Sequence, residues 1–191
     1  MILGLYGFLA SVVLGINVIP AFMPPTWIIL AFFVTKYHMQ ILPVVLIGAT
    51  FATLGRIILA GMSRIFFRRL LPKDLKENYA SIGVYLNKHH KVTIPLVIAY
   101  AFLPIPSNNV FIAAGLAQMR IRLLAASFFA GRLISYTFWV SLTKKLSDNL
   151  VDLFSNHFSQ SSSIVAQILG LVAIYLLGTI AWKKILKKVN V

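Results

Sequence analysis

The chain has no cysteine and only four acidic residues in 191, and both shortages exclude chemistry. Without cysteine there is no disulfide, no thiolate nucleophile and no Cys-ligated metal. The carboxylates, Asp74, Glu77, Asp148 and Asp152, fall in two short polar stretches. None is available at membrane depth, which removes pump mechanisms that titrate an embedded carboxylate. Charge of either sign is scarce, at 12% of residues against about 25% in an ordinary soluble domain. Met1–Thr35, Val92–Met119 and Leu153–Trp182 contain no Asp, Glu, Lys or Arg. A soluble core cannot hide three such runs, and with 59% hydrophobic residues the composition points to lipid.

What charge there is has one sign: 18 Lys or Arg give a net charge of +14. Clustered basic residues can mark a nucleic-acid partner. In this apolar background they are instead the basic cytoplasmic loops of a membrane protein, and no nucleic acid is expected. Met1–Ile16 has no basic start and no small-x-small site before Pro20, so a cleavable signal peptide is not expected.

A helix needs about 20 apolar residues to cross roughly 30 Å of hydrocarbon. Gln40–Met62, Leu123–Thr143 and Ile164–Trp182 qualify. Two other apolar stretches are interrupted at their centres. In Val92–Met119 the sequence Leu103-Pro104-Ile105-Pro106-Ser107-Asn108-Asn109 removes two backbone donors and inserts three polar side chains, which no continuous helix accommodates. The arms, Val92–Phe102 and Val110–Met119, each reach about 15 to 17 Å, half a bilayer. They fit a re-entrant hairpin, whose broken backbone must be surrounded by protein or line a wet cavity. The same design interrupts Ile2–Val34 at Asn17-Val18-Ile19-Pro20-Ala21-Phe22-Met23-Pro24-Pro25-Thr26.

Each hairpin precedes a long apolar helix with a Gly-Arg pair, Gly55-Arg56 and Gly131-Arg132. One crossing lies between the hairpins, so they enter from opposite faces as an inverted repeat, an arrangement that puts a transport site near the midplane. The fold expected is an all-α integral membrane protein in one membrane domain. A first repeat (1–62) holds a hairpin (1–36) and a crossing (40–62). A basic linker with an interfacial helix (63–91) joins it to a second repeat (92–144), with hairpin 92–119 and crossing 123–143. An external amphipathic segment (145–163), a third crossing (164–182) and a basic tail (183–191) complete it. Within the linker, Tyr79–Lys88 spaces Ile82, Tyr85 and Leu86 as on one face of a helix. Arg64–Lys91 carries seven Lys or Arg and the tail four, whereas Leu146–Ser163 has two acids and no base. The linker and C-terminus are therefore expected in the cytoplasm, and the plasma membrane is the expected location.

Arg56 and Arg132 lie within crossings, where an arginine costs about 2.5 to 3.5 kcal/mol. Either they bond to carbonyls freed at a hairpin, or they contact an anionic headgroup, because guanidinium matches phosphate in a two-pronged fork. Asn17, Thr26, Ser107, Asn108 and Asn109 are the polar groups expected to line the cavity with them. Helix capping alone would also explain Ser107 and Asn108 at a helix start, and both roles can hold at once. Pro20, Pro24, Pro25, Pro104 and Pro106 shape the breaks, and Gly55, Gly115 and Gly131 allow close helix approach. The histidines, His38, His89, His90 and His157, are scattered through loops without acidic partners, so no metal is expected. Asp152, Ser155 and His157 have no Gly-x-Ser-x-Gly elbow, and no phosphate-binding loop is present, so neither an enzyme nor a cofactor is expected.

These features resemble the DedA family, whose VTT or SNARE-associated domain is shared with eukaryotic lipid scramblases. The resemblance spans about Asn17 to Trp139. The family's Glu followed seven residues on by Pro-Gly-Glu or Pro-Gly-Asp is matched in spacing by Asn17 and Pro24-Pro25-Thr26. Its Leu-Gly-Asp-x-x-Gly-Tyr-x-x-Gly-Arg is rendered as Leu54-Gly55-Arg56-Ile57-Ile58-Leu59-Ala60-Gly61-Met62-Ser63-Arg64. Its Phe-x-Pro-Gly-x-Arg, then Ala-Gly and Met, becomes Phe102-Leu103-Pro104-Ile105-Pro106-Ser107, then Ala114-Gly115 and Met119, with Arg122 and Gly131 also in register. The framework is kept and the charges differ: the family's acids become Asn17, Thr26 and Arg56, and its hairpin arginine becomes Ser107. The resemblance implies movement of a lipid phosphate, such as a polyprenyl phosphate or a phospholipid, across the bilayer. The missing acids imply movement uncoupled from protons. The expected partners are membrane lipids with anionic headgroups, and a homo-oligomer is open. A small-solute or ion exporter using the same cavity, and a non-transporting assembly factor, are the alternative functions.

Overall fold

The computed structural model describes residues 2–20, 24–102 and 107–146, and the regular structure of these residues is entirely helical. In chain order it comprises α1 (Ile2–Val18), α2 (Thr26–Lys36) and α3 (Ile41–Met62). The last continues through a π-helical turn (Ser63–Phe67) into the single turn α4 (Arg68–Leu70). Then come α5 (Lys73–Lys88), α6 (His90–Phe102), α7 (Asn108–Leu116) and α8 (Ile121–Leu146). Two helical stretches are long and apolar enough to cross a membrane, Ile41–Leu70 and Ile121–Lys145. The third expected crossing, Ile164–Trp182, lies outside the described residues, as do the segment before it, the basic tail, Pro104 and Pro106.

Proline sets several boundaries. Pro24 and Pro25 precede α2, with Pro25 extended at φ −55° and ψ 129°. Pro43 sits in the first turn of α3, where its missing N–H has no helical partner to lose. The interfacial helix expected over Tyr79–Lys88 begins earlier, at Lys73. Pro72 gives it a pre-set start, and Asp74 in its first turn complements the helix dipole.

The first hairpin is antiparallel. Phe8 of α1 packs on Phe33 of α2, with ring centroids 6.0 Å apart, while at the other end Asn17 bonds to Thr26. Its open end lies beside the start of α3, because Leu30 of α2 crosses Gly48. α7 runs along α3 from Ser107 at Arg56 to Gly115 at Ala60 and Ser63. α6 begins beside the first residues of α8 and reaches Gly131 with Ile98 and Ala101. The second hairpin therefore opens at the opposite end from the first. First arms pack on their own long helix, α1 on α3 and α6 on α8. Second arms also reach the other one, α2 packing on α8 and α7 on α3.

Two apolar clusters fill the interior. One joins Leu9, Leu30, Val44, Tyr136 and Val140, and the other joins Leu59, Phe111, Ile112, Leu124 and Phe128. Large apolar side chains also cover the outside: Leu3, Leu42, Leu96 and Ile134 are all more than half exposed. The turns into α3 and α8 are alike. His38 (φ 51°) and Gln118 (φ 55°) adopt the left-handed conformation, and each is followed by a buried Met, a polar residue and the Ile that opens the long helix.

Candidate functional site

The site forms where the end of α1 and the start of α2 meet α3 and the start of α7. Asn17 lies in the last turn of α1, where carbonyls have no intrahelical donor. Gly55 brings α3 against this turn: a Cβ at Gly55 would stand 2.7 Å from Asn17 Cβ and 3.0 Å from the Leu14 carbonyl. The next residue, Arg56, donates from Nη1 to the Asn17 carbonyl (3.1 Å) and from Nε to Ser107 Oγ (3.0 Å). Asn17 Nδ2 in turn donates to Thr26 Oγ1 (3.0 Å) and to the Val13 carbonyl (2.8 Å). One continuous chain of hydrogen bonds thus joins Thr26, Asn17, Arg56 and Ser107. Arg56, Asn17 and Ser107 are buried, so the bonds form away from water.

Ser107 precedes α7 in a helical conformation and makes no side-chain cap. Its hydroxyl accepts from Arg56 instead. Asn108 is buried at the start of α7, and half-buried Asn109 has no hydrogen-bond partner for Oδ1 among the described residues. Pro20 and Pro24 are exposed and Pro25 half-buried. Gly115 sits against the Ala60 carbonyl and Ser63, where a Cβ would collide.

Arg132 lies on the facing helix, close enough to Arg56 for the two cations to repel each other. It is 8% exposed, and its Nε has no hydrogen-bond partner among the described residues. What holds it is aromatic: the guanidinium carbon is 4.9 Å from the Phe128 ring centroid and 5.3 Å from that of Tyr136. Cation–π contact stabilises the charge without using its donors. Gly131 makes a close approach like that of Gly55, with Ala101 Cβ, in place of Asn17 Cβ, 2.7 Å from where its Cβ would stand. Tyr100 of α6 is within electrostatic reach of both arginines.

The helices meeting here, α1 to α3 and α6 to α8, contain no Asp or Glu. The arrangement is thus a pair of buried cations with spare donors and no protein counter-ion on these helices, suited to an anion. Among the described residues no group of His, Asp or Glu is placed to hold a metal. Sequence reasoning missed the aromatic clamp, although Phe128-x-x-x-Arg132-x-x-x-Tyr136 is legible as one helical face. It also missed the matched turns at His38-Met39 and Gln118-Met119. Comparison with family models, curated proteins and solved structures finds no match.

Proposed function

We propose that the chain is an integral membrane protein that moves the phosphate headgroup of an anionic lipid across the bilayer, as a divergent relative of the DedA family. Embedding is supported by the two long apolar helices and by the apolar outer surface, which water would not tolerate at this extent. With Arg64–Lys91 in the cytoplasm, the second hairpin is re-entrant from that side and the first from the other.

The observation that carries the reading is the pair of buried guanidinium groups at the junction of two opposed hairpin breaks, with no carboxylate on the surrounding helices. A phosphate leaving water must recover its hydration from fixed donors, and Arg132 retains an unused one. The charge differences from the family pattern support the same site. Position 56 has arginine where the family has an acid, and position 107 has serine where it has arginine. These two residues are hydrogen-bonded to each other, so the cation has moved between contacting positions rather than vanished.

Movement is driven by the lipid gradient, because the pocket has no carboxylate to carry a proton. The test is flipping of fluorescent phosphatidylglycerol in proteoliposomes. Unaltered protein is expected to flip it without an imposed proton gradient, and Arg132→Gln to lose most of that activity while remaining folded. An Arg132→Gln protein that flips at the unaltered rate would refute the headgroup role.

A further inference from the structure

At the end of the molecule where the second hairpin opens lies a second basic site, separate from the buried pair. A cleft of about 570 Å³ is lined by Arg64 of the π-helical turn, His90 at the start of α6, and Arg120 and Arg122 at the start of α8. Among the described residues no Asp or Glu lines it. The cleft is held in shape from below by α5. Gly83 of that helix lies so close to Ala117 that a Cβ would overlap its carbonyl, Asn87 Oδ1 accepts the Arg120 backbone N–H (2.8 Å), and Arg68 donates to the Leu116 carbonyl. Arg64 is followed directly by Ile65 and Phe66, both at least half exposed.

We propose that this cleft binds the phosphate headgroup of an anionic membrane lipid at the cytoplasmic interface, with its acyl chains lying along Ile65 and Phe66. Three exposed arginines line one space with no Asp or Glu among its described lining residues, which is the charge complement of a phosphate. The exposed Ile and Phe beside Arg64 supply the apolar surface that a lipid needs and a soluble phosphate does not. The inference needs the membrane embedding proposed above but not transport.

The test uses the full chain purified in neutral detergent, with phosphatidylglycerol, phosphatidylcholine and inorganic phosphate as separate probes. Lipid retention is read by native mass spectrometry and melting temperature by thermal shift. The unaltered protein is expected to prefer phosphatidylglycerol over phosphatidylcholine by at least about tenfold, falling with added salt. The comparison is made in an Arg132→Gln background, in which the central site is silent: there Arg64→Gln, Arg120→Gln and Arg122→Gln together remove the preference, and because these three side chains are exposed the protein stays folded. Lys36→Gln, an exposed lysine at the end of α2 and part of neither site, leaves it unchanged. A variant that lacks the three cleft arginines in that background and still prefers phosphatidylglycerol overturns the proposal. So does inorganic phosphate that raises the melting temperature as much as the lipid, since the site would then serve a soluble anion.

Discussion

Arg56 on α3 and Arg132 on α8 each follow a glycine that another helix approaches closely, yet they are held by different means. Arg56 is flanked one turn away by Ala52 and Ala60, small enough for both hairpins to reach it, and it bonds to each. Arg132 is flanked by Phe128 and Tyr136, whose rings cover it, and its Nε has no hydrogen-bond partner among the described residues. The first arm beside each glycine differs in the same sense: Asn17 offers α3 a polar group, where Ala101 offers α8 none. Arg56 thus ties the end of α1 to the start of α7, whereas Arg132 is held by rings and its Nε has no hydrogen-bond partner among the described residues.

The largest effect expected from this comparison is all-or-none. Gln40→Cys and Arg120→Cys, at the matched turns of the two repeats, label from opposite faces of intact vesicles, because the hairpins open at opposite ends. Labelling of both from one face would break the inverted repeat.

Next in size are the close approaches. Gly55→Val and Gly131→Val each lower stability by roughly 3 kcal/mol in detergent melting, because a Cβ alone already stands 2.7 Å from the facing Asn17 or Ala101 Cβ. Gly61, with nothing within 4 Å of its Cβ position, is the control, and Gly61→Ala raises stability by up to about 1 kcal/mol. Tolerance of Gly131→Val would mean that the second repeat does not pack like the first.

A smaller contrast separates the arginines. Arg56→Ala leaves the Asn17 carbonyl and Ser107 hydroxyl without their donor and costs roughly 2 kcal/mol. Arg132→Ala removes ring contacts only and costs about 1 kcal/mol in the same melting experiment. Equal losses would erase the distinction between the two. Smallest is Ser107→Ala, at about 1 kcal/mol or less, since Arg56 keeps its bond to Asn17.

Much of this was legible from the sequence because it is local. Two prolines within three residues break a helix wherever they occur, and Pro24-Pro25 starts α2 as expected. The approach of Asn17, Thr26, Arg56 and Ser107 was also expected, from the broken helix ends that the sequence marks with proline and polar residues. The pairing of second arms with the opposite long helix was not. α2 and α7 are apolar on nearly every side, so no periodic stripe marks which neighbour they choose. The early start of α5 was obscured because Lys73, Lys76 and Glu77 lack an apolar pattern, and Pro72 with Asp74 carries the signal instead.

The central claim is that a lipid phosphate reaches the buried arginines. Solid-state NMR measures this contact directly, as a through-space coupling between lipid phosphorus and guanidinium nitrogen in protein with nitrogen-labelled arginine. The protein should carry Arg64→Gln, Arg120→Gln and Arg122→Gln, so that the interfacial cleft is silent. In phosphatidylglycerol bilayers the account predicts a coupling that disappears when Arg132→Gln is added. A coupling that persists without Arg132, or none in its presence, would contradict it.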